Sequence, residues 1–241
     1  MRLLLGSGGF TTPERRDRWI QVLDDFLGPV EKVLFVPYAL ADHDDYVARM
    51  TELNFQAGRE LLGIHTCPDP IRAVEQADAV YVGGGNSFRL LADLFRARLH
   101  DIVRERVRAG MPYIGVSAGT NAACPTIKTT NDMPITWPPS LEAFDLIRFQ
   151  INPHYFAGPT YIDMGEGKYI PYGGETRDVR LREFHEMNDT PIVALWEGEI
   201  LRIEGSDYRL TGLGGARVFL KGQEPVDLAE NAALPRELAA E

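Results

Sequence analysis

The sequence predicts an α/β fold built on a mostly parallel sheet, and three observations point to it. Short apolar runs alternate with longer amphipathic stretches through the first half of the chain. Two of those runs end in glycine-rich turns that open helical patterns, Gly83-Gly84-Gly85-Asn86 and Gly115-Val116-Ser117-Ala118-Gly119. Forty-four percent of the 241 residues are hydrophobic, enough for a sizeable core and too many for a disordered chain.

Taken in order, Arg2–Leu5 reads as a strand and Thr12–Leu27 as a helix with Pro13 in its first turn, where a missing amide costs nothing. Lys32–Val36 is a strand that ends at Pro37. Asp44–Leu62 has a helical pattern, with Val47, Met50, Leu53 and Phe55 among its apolar positions. Gly63–Thr66 reads as a short strand and Ala79–Val82 as another. Ser87–Arg108 is helical with a break near Leu99, and Tyr113–Val116 is the strand that runs into Ser117. After about Pro125 the texture changes. Pro134, Pro138, Pro139 and Pro153 punctuate a loop-rich region, a helix is expected from Thr176 to about Met187, and Ile192–Leu195, Ile200–Ile203, Tyr208–Leu210 and Val218–Leu220 read as strands. Gly205-Ser206 suits a turn between two of them. The Ala- and Glu-rich end is expected to fray. No repeat, low-complexity linker or domain boundary appears, so residues 1–241 are expected to form a single α/β domain.

Charge and cysteine usage exclude several classes of function. The net charge is −10 and no dense Lys/Arg run occurs, which argues against a nucleic-acid partner. An acidic chain also gives an anionic ligand no long-range attraction, so any such ligand must be held by local cations. Cys67 and Cys124 make neither a disulfide framework nor a four-ligand metal site. The first apolar run is too short for a signal-peptide core, and no stretch is long enough to span a membrane. A reducing cytoplasm is the expected location.

The segment around Ser117 concentrates the chemistry. An apolar strand runs into G-x-S-x-G and a helix start follows, the context in which a sharp turn presents a serine hydroxyl at the carboxyl end of a sheet. The amide of Ala118 then points where an oxyanion would form, and the helix N-terminus adds a favourable dipole. The glycine run at Gly83–Gly85 frees backbone donors in the same way. It lacks the G-x-G-x-x-G spacing and first-strand position of a dinucleotide site, and no Lys-Ser or Lys-Thr follows it as in a phosphate loop. A serine hydroxyl needs a base. Of the five histidines, His43, His65, His100 and His185 lie in or beside ordinary helix and strand patterns. His154 differs, since Gln150-Ile151-Asn152-Pro153 brings it to a strand end, the level of the elbow serine. Two acids compete to orient it: Asp132 in the long loop, and Glu197 between a strand and Gly198.

These stretches together resemble the peptidase E, or α-aspartyl dipeptidase, family. The resemblance runs through Val82-Gly83-Gly84-Gly85-Asn86-Ser87-Phe88, Tyr113–Gly119, Ala123-Cys124-Pro125-Thr126-Ile127-Lys128-Thr129-Thr130-Asn131-Asp132-Met133-Pro134-Ile135, Ile151-Asn152-Pro153-His154, Gly174-Glu175-Thr176-Arg177 and Glu197-Gly198. It covers most of the chain from about Leu34 to Phe219. It implies a flavodoxin-like three-layer sandwich related to class I glutamine amidotransferases, with serine in place of their cysteine. Ser117 would be the nucleophile and His154 the base, with the amides of Gly85 and Ala118 as oxyanion donors. The third member is Glu197 or Asp132, and the chain order Ser–His–Glu favours Glu197. Arg177 and Asn86 would bind substrate, with Arg177 pairing the aspartate side chain.

The implied activity is cofactor- and metal-free hydrolysis of small acidic peptides with an N-terminal aspartate. Alternatives are a cyanophycinase-like or isoaspartyl peptidase acting on β-linked aspartate, and a non-catalytic binding relative. A homodimer is one assembly the sequence allows. The chain departs from the family pattern in two places. Val116 stands where an aromatic is expected, and Ala157–Tyr172 is longer and unlike, crowded with tyrosines.

Overall fold

A computed structural model describes residues 1–239. In chain order its elements are β1 (Arg2–Gly6), α1 (Pro13–Leu27), β2 (Lys32–Val36), α2 (His43–Glu52), β3 (Glu60–Gly63), α3 (Pro70–Gln76), β4 (Val80–Val82), α4 (Ser87–Arg96), α5 (His100–Arg108), β5 (Tyr113–Val116) and α6 (Ala118–Ala123). There follow β6 (Gln150–Tyr155), β7 (Tyr161–Asp163), β8 (Tyr169–Pro171), α7 (Arg177–Met187), β9 (Ile192–Trp196), β10 (Ile200–Glu204), β11 (Asp207–Leu210), β12 (Ala216–Phe219), β13 (Val226–Leu228) and α8 (Arg236–Ala239). The expectation of a fraying terminus falls partly on Ala240 and Glu241, outside the described residues.

The central sheet has the order β11-β10-β1-β5-β4-β2-β3. Its β1, β5, β4, β2 and β3 are parallel, and β10 and β11 close one edge antiparallel. The parallel strands are apolar on both faces, as a sheet covered on both sides must be. Leu3 and Leu5 pack on one side with Val80, Val82 and Tyr113, beneath α3 to α6. Leu4 packs on the other with Phe35, Tyr81 and Ile114, beneath α1 and α2. This is the mostly parallel three-layer α/β arrangement expected.

A second sheet, β13-β12-β9-β6, continues from the first core. Ile151, Val193, Leu195 and Val218 face that core, while Tyr155, Ile192, Ala194 and Phe219 pack against Leu181 of α7. The apolar runs of β9 to β12 read alike in sequence, yet β10 and β11 join the first sheet and β9 and β12 the second. The hairpin of β7 and β8 stands away from both, with Tyr161, Ile162, Tyr169 and Ile170 exposed.

The structure corrects several expected boundaries. The helix expected over Asp44–Leu62 stops at Glu52. Asn54 and Ala57 take φ values of 56° and 51°, and the Asn54 Oδ1 accepts from the Gly58 amide at 2.7 Å. That closed turn reverses the chain into β3. Ile64–Thr66 is a 3₁₀ turn rather than a strand. The expected break near Leu99 is present, between α4 and α5. The sequence reading placed no element at Pro70–Gln76, although Asp69 caps α3 there by accepting from the Arg72 amide at 3.1 Å. Among the described residues no helix is long and apolar enough to cross a membrane, and no group of three or more His, Cys, Asp or Glu is placed to hold a metal ion. Cys67 and Cys124 are free thiols.

Candidate active site

Ser117 sits at the junction of β5 and α6 with φ 55° and ψ −110°. A non-glycine residue rarely adopts this conformation, and it persists only where surrounding structure fixes it. The fixing contacts are visible. The Ser117 amide donates to the Gly6 carbonyl at 3.0 Å, and Thr120 Oγ1 donates to the same carbonyl at 2.7 Å. The strand-to-helix turn therefore leaves the hydroxyl at the sheet's carboxyl edge, half-buried.

His154 arrives from the second sheet. The β6–β9 register shifts between Asn152 and Tyr155, and His154 takes φ 55° within that irregularity. A bulge of this kind re-aims a side chain that regular pleating would point elsewhere. The imidazole Nε2 lies 2.8 Å from Ser117 Oγ, and Nδ1 lies 2.8 Å from Glu197 Oε1. A carboxylate can only accept, so Nδ1 carries the proton, and Nε2 of the neutral ring is left to accept from the serine. The hydrogen bond from His154 lowers the Glu197 carboxyl below its usual range, against the opposing effect of its burial.

Of the two acids read from the sequence, the structure brings Glu197 to the imidazole and not Asp132. Asp132 Oδ2 accepts from the Ser87 amide and hydroxyl, each at 2.7 Å, and from Thr130 Oγ1 at 3.0 Å. The unpaired amides at the N-terminus of α4 draw the carboxylate there. Asn86, expected to bind substrate, is instead the N-cap of α4. Its Oδ1 accepts from the Arg89 amide at 3.0 Å and its Nδ2 donates to the Met133 carbonyl at 2.8 Å, so both ends of the amide are engaged within the protein.

The sequence singled out the amides of Gly85 and Ala118 as oxyanion donors. Gly85 has φ +136°, and a Cβ there would meet the Ala39 carbonyl oxygen at 2.5 Å, so only glycine fits. Its amide and that of Ala118 donate to no other group among the described residues. Arg177 begins α7, with Thr176 as N-cap accepting from the Val179 amide at 3.3 Å. Its Nη1 donates to Asn131 Oδ1 at 2.5 Å and its guanidinium lies 5.5 Å from the Phe156 ring centroid. Asn131 in turn donates to the Pro153 carbonyl, beside the base, at 2.8 Å. Arg177 makes no ion pair among the described residues, and burial, then the nearby Arg180 charge, lowers its guanidinium from the usual value.

Sequence reasoning missed the turn after β1. Ser7 is buried, and its Oγ accepts from the His154 amide at 2.8 Å and donates to the Leu195 carbonyl at 3.0 Å. A Cβ on Gly8 would strike the His154 ring, and one on Gly9 would strike the Glu197 carboxylate. The available signal was the Gly6-Ser7-Gly8-Gly9 run ending the first strand. The second omission is Glu199, fully buried, whose carboxylate accepts from the amides of Ile200, Gly212, Gly214 and Gly215. It ties the turn between β9 and β10, which holds Glu197, to the loop between β11 and β12.

Comparison with known proteins finds relatives over most of the chain. The chain is 47% identical over 215 residues to a peptidase E of Streptomyces coelicolor, covering 89% of this chain and 85% of that protein. It is 44% identical over 206 residues to a Drosophila melanogaster protein named "Probable alpha-aspartyl dipeptidase", covering 85% and 82%. In fold it resembles a peptidase from an acI-B1 actinobacterium, with TM-score 0.66, 18% identity and coverage of 97% and 96%. A candidate peptidase E from Listeria monocytogenes EGD-e gives TM-score 0.63 at 23% identity, covering 88% and 98%. The sequence model of peptidase family S51 matches residues 2–211, and the chain belongs to that family.

Proposed function

We propose that this protein is a serine-type dipeptidase that hydrolyses peptides with an N-terminal aspartate. The observation that carries the reading is the unbroken chain Ser117 Oγ–His154–Glu197, with both links at 2.8 Å. Ser117 attacks the scissile carbonyl while His154 Nε2 takes its proton, and Glu197 stabilises the imidazolium that forms. The developing oxyanion is held by the free amides of Gly85 and Ala118. His154 then returns the proton to the leaving amine. In the second half of the cycle it activates water to release the acyl group from Ser117. The name of the Drosophila melanogaster relative, an alpha-aspartyl dipeptidase, supports the aspartyl preference.

Arg177 supplies a reason for that preference. It is a half-buried cation with no carboxylate partner among the described residues, bonded to Asn131, which in turn bonds the Pro153 carbonyl, and an aspartate side chain would complete it. A site built for a charge rejects the neutral isostere, because its own charge is then left unpaired. The test is hydrolysis of Asp-Leu, Asn-Leu, Glu-Leu and β-linked Asp-Leu by the wild type, Ser117→Ala and Arg177→Met. Wild type is expected to cleave Asp-Leu and hardly any Asn-Leu or β-linked Asp-Leu. Ser117→Ala is expected to lose at least about 10³-fold in turnover, and Arg177→Met to lose most of the Asp-over-Asn ratio. Near-wild-type turnover by Ser117→Ala, or an unchanged ratio in Arg177→Met, would overturn the corresponding role.

A further inference from the structure

A cavity that Arg177 does not line opens on Ser117. It is a cavity of about 410 Å³, the size of a small-molecule site, between the β1–α1 turn and helix α2. Ser117, His154, Gly84 and Gly85 line its inner end. Its outer walls are Phe10, Tyr46, Met50, Leu53 and Phe55, an apolar and aromatic surface. Burial raises the Tyr46 phenol to about 12, so that wall stays neutral. Apart from the base His154, the one charged side chain on the lining is Arg49. Its ion-pair partner is Asp45, one helical turn back at 3.9 Å, and both groups are well exposed, so the guanidinium remains available. Arg177 does not line this cavity. The cation that shares this lining with Ser117 is therefore Arg49, while Arg177 is bonded to Asn131.

An Asp-Xaa dipeptide has two carboxylates, one on the aspartate side chain and one at its C-terminus, with the scissile carbonyl between them. We propose that this cavity receives the leaving residue, its side chain against the apolar wall and its terminal carboxylate paired with Arg49. The assignment rests on the dipeptidase reading and deepens it. It makes Arg49 the residue that measures substrate length. A peptide that ends after two residues presents a carboxylate there, whereas a longer or amidated one presents a neutral group and leaves the guanidinium unpaired. It also makes the wall of α2 the surface that selects a large apolar second residue.

The test uses the full-length enzyme and the substrates Asp-Gly, Asp-Leu, Asp-Phe, Asp-Leu-amide and Asn-Leu. Wild type is expected to favour Asp-Leu and Asp-Phe over Asp-Gly by at least about 10-fold in kcat/KM. It is also expected to favour Asp-Leu over its amide by on the order of 100-fold. Arg49→Gln, on an exposed helix face, is expected to abolish the acid-over-amide preference and keep the Asp-over-Asn preference. Leu53→Trp narrows the mouth of the cavity and is expected to lower Asp-Phe relative to Asp-Gly. The proposal is overturned if wild type cleaves acid and amide equally, if Arg49→Gln keeps the wild-type acid-to-amide ratio, or if Leu53→Trp leaves the Phe-to-Gly ratio unchanged. It is equally overturned if Arg49→Gln collapses the Asp-over-Asn ratio, since the cavity would then hold the acyl side. Failure of the dipeptidase reading looks different: wild type would cleave none of these peptides, and both assignments would fall together.

Discussion

Glu197, Glu199 and Asp132 are three carboxylates with three different duties, and their partners separate them. Glu197 faces an imidazole, so Glu197→Gln is expected to cost on the order of 10²–10⁴ in turnover. Asp132 faces the start of α4, so Asp132→Asn is expected to cost about 1 kcal/mol in stability, with a smaller loss of turnover than Glu197→Gln. Denaturant titration and steady-state kinetics on the two variants separate the cases. Glu199 orders a loop through four backbone amides, and Glu199→Ala is expected to cost at least about 2 kcal/mol, because buried donors lose a charged acceptor.

The lowered Glu197 carboxyl also has a pH signature. A folded-state value below the unfolded one adds stability that is present above the ordinary carboxylate range and is lost as pH falls through the depressed value. The stability gap between wild type and Glu197→Gln is therefore expected to close on acidification, as thermal melts across that window would show. At this scale the sequence was legible where chemistry leaves a pattern. Ser117 lies in a glycine-framed turn and His154 at the end of an apolar run. Ser7 is framed by glycines too, but the Gly6-Ser7-Gly8-Gly9 run marks only a turn, and the duty of its hydroxyl shows once Leu195 and His154 are brought beside it.

Two elements of the site depend on backbone that regular secondary structure does not supply. The first is the β5–α6 turn, with Ser117 at φ 55°. The second is the irregular β6, with His154 also at φ 55°. The Ser7 hydroxyl holds the latter by accepting from the His154 amide. Ser7→Ala removes that acceptor and is expected to lower kcat by on the order of 10- to 100-fold through misplacement of the imidazole. KM should change little, and Ser7→Thr, which keeps an oxygen, should restore part of the loss. Strand and helix identities were readable from periodicity, as Lys32–Val36 and Tyr113–Val116 illustrate. Boundaries were not, where one polar side chain decides them. The apolar spacing from Val47 to Phe55 continues past Glu52, but the Asn54 amide closes a turn that periodicity does not register.

Across the whole molecule, the parallel core was foreseeable from the alternation of runs and helices, while the split of the C-terminal strands between two sheets was not. Each of those strands is short and apolar, and which sheet it joins is decided by long-range register. Pairs such as Arg2 with Glu204 and Ile192 with Phe219 set it, and no local segment contains both halves. The net charge of −10 likewise gained its meaning only from the fold, which puts Arg49 on one lining with Ser117 and half-buries Arg177 against Asn131 in a net acidic protein.

Ser117 follows a strand of the first sheet, and His154 and Glu197 belong to strands, or strand ends, of the second. Ser117 and His154 thus meet across a seam, pinned near the site by Ser7. Hydrolysis then acts as a gauge of alignment between two slabs, since a slip of about an ångström between them disengages the proton relay while leaving every strand intact. Warming, or dilute denaturant, should silence turnover before circular dichroism registers any melting. Ser7→Ala should widen the interval between those two events. Coincident loss of turnover and of secondary structure in both proteins would mean that the slabs part only when the whole chain unfolds.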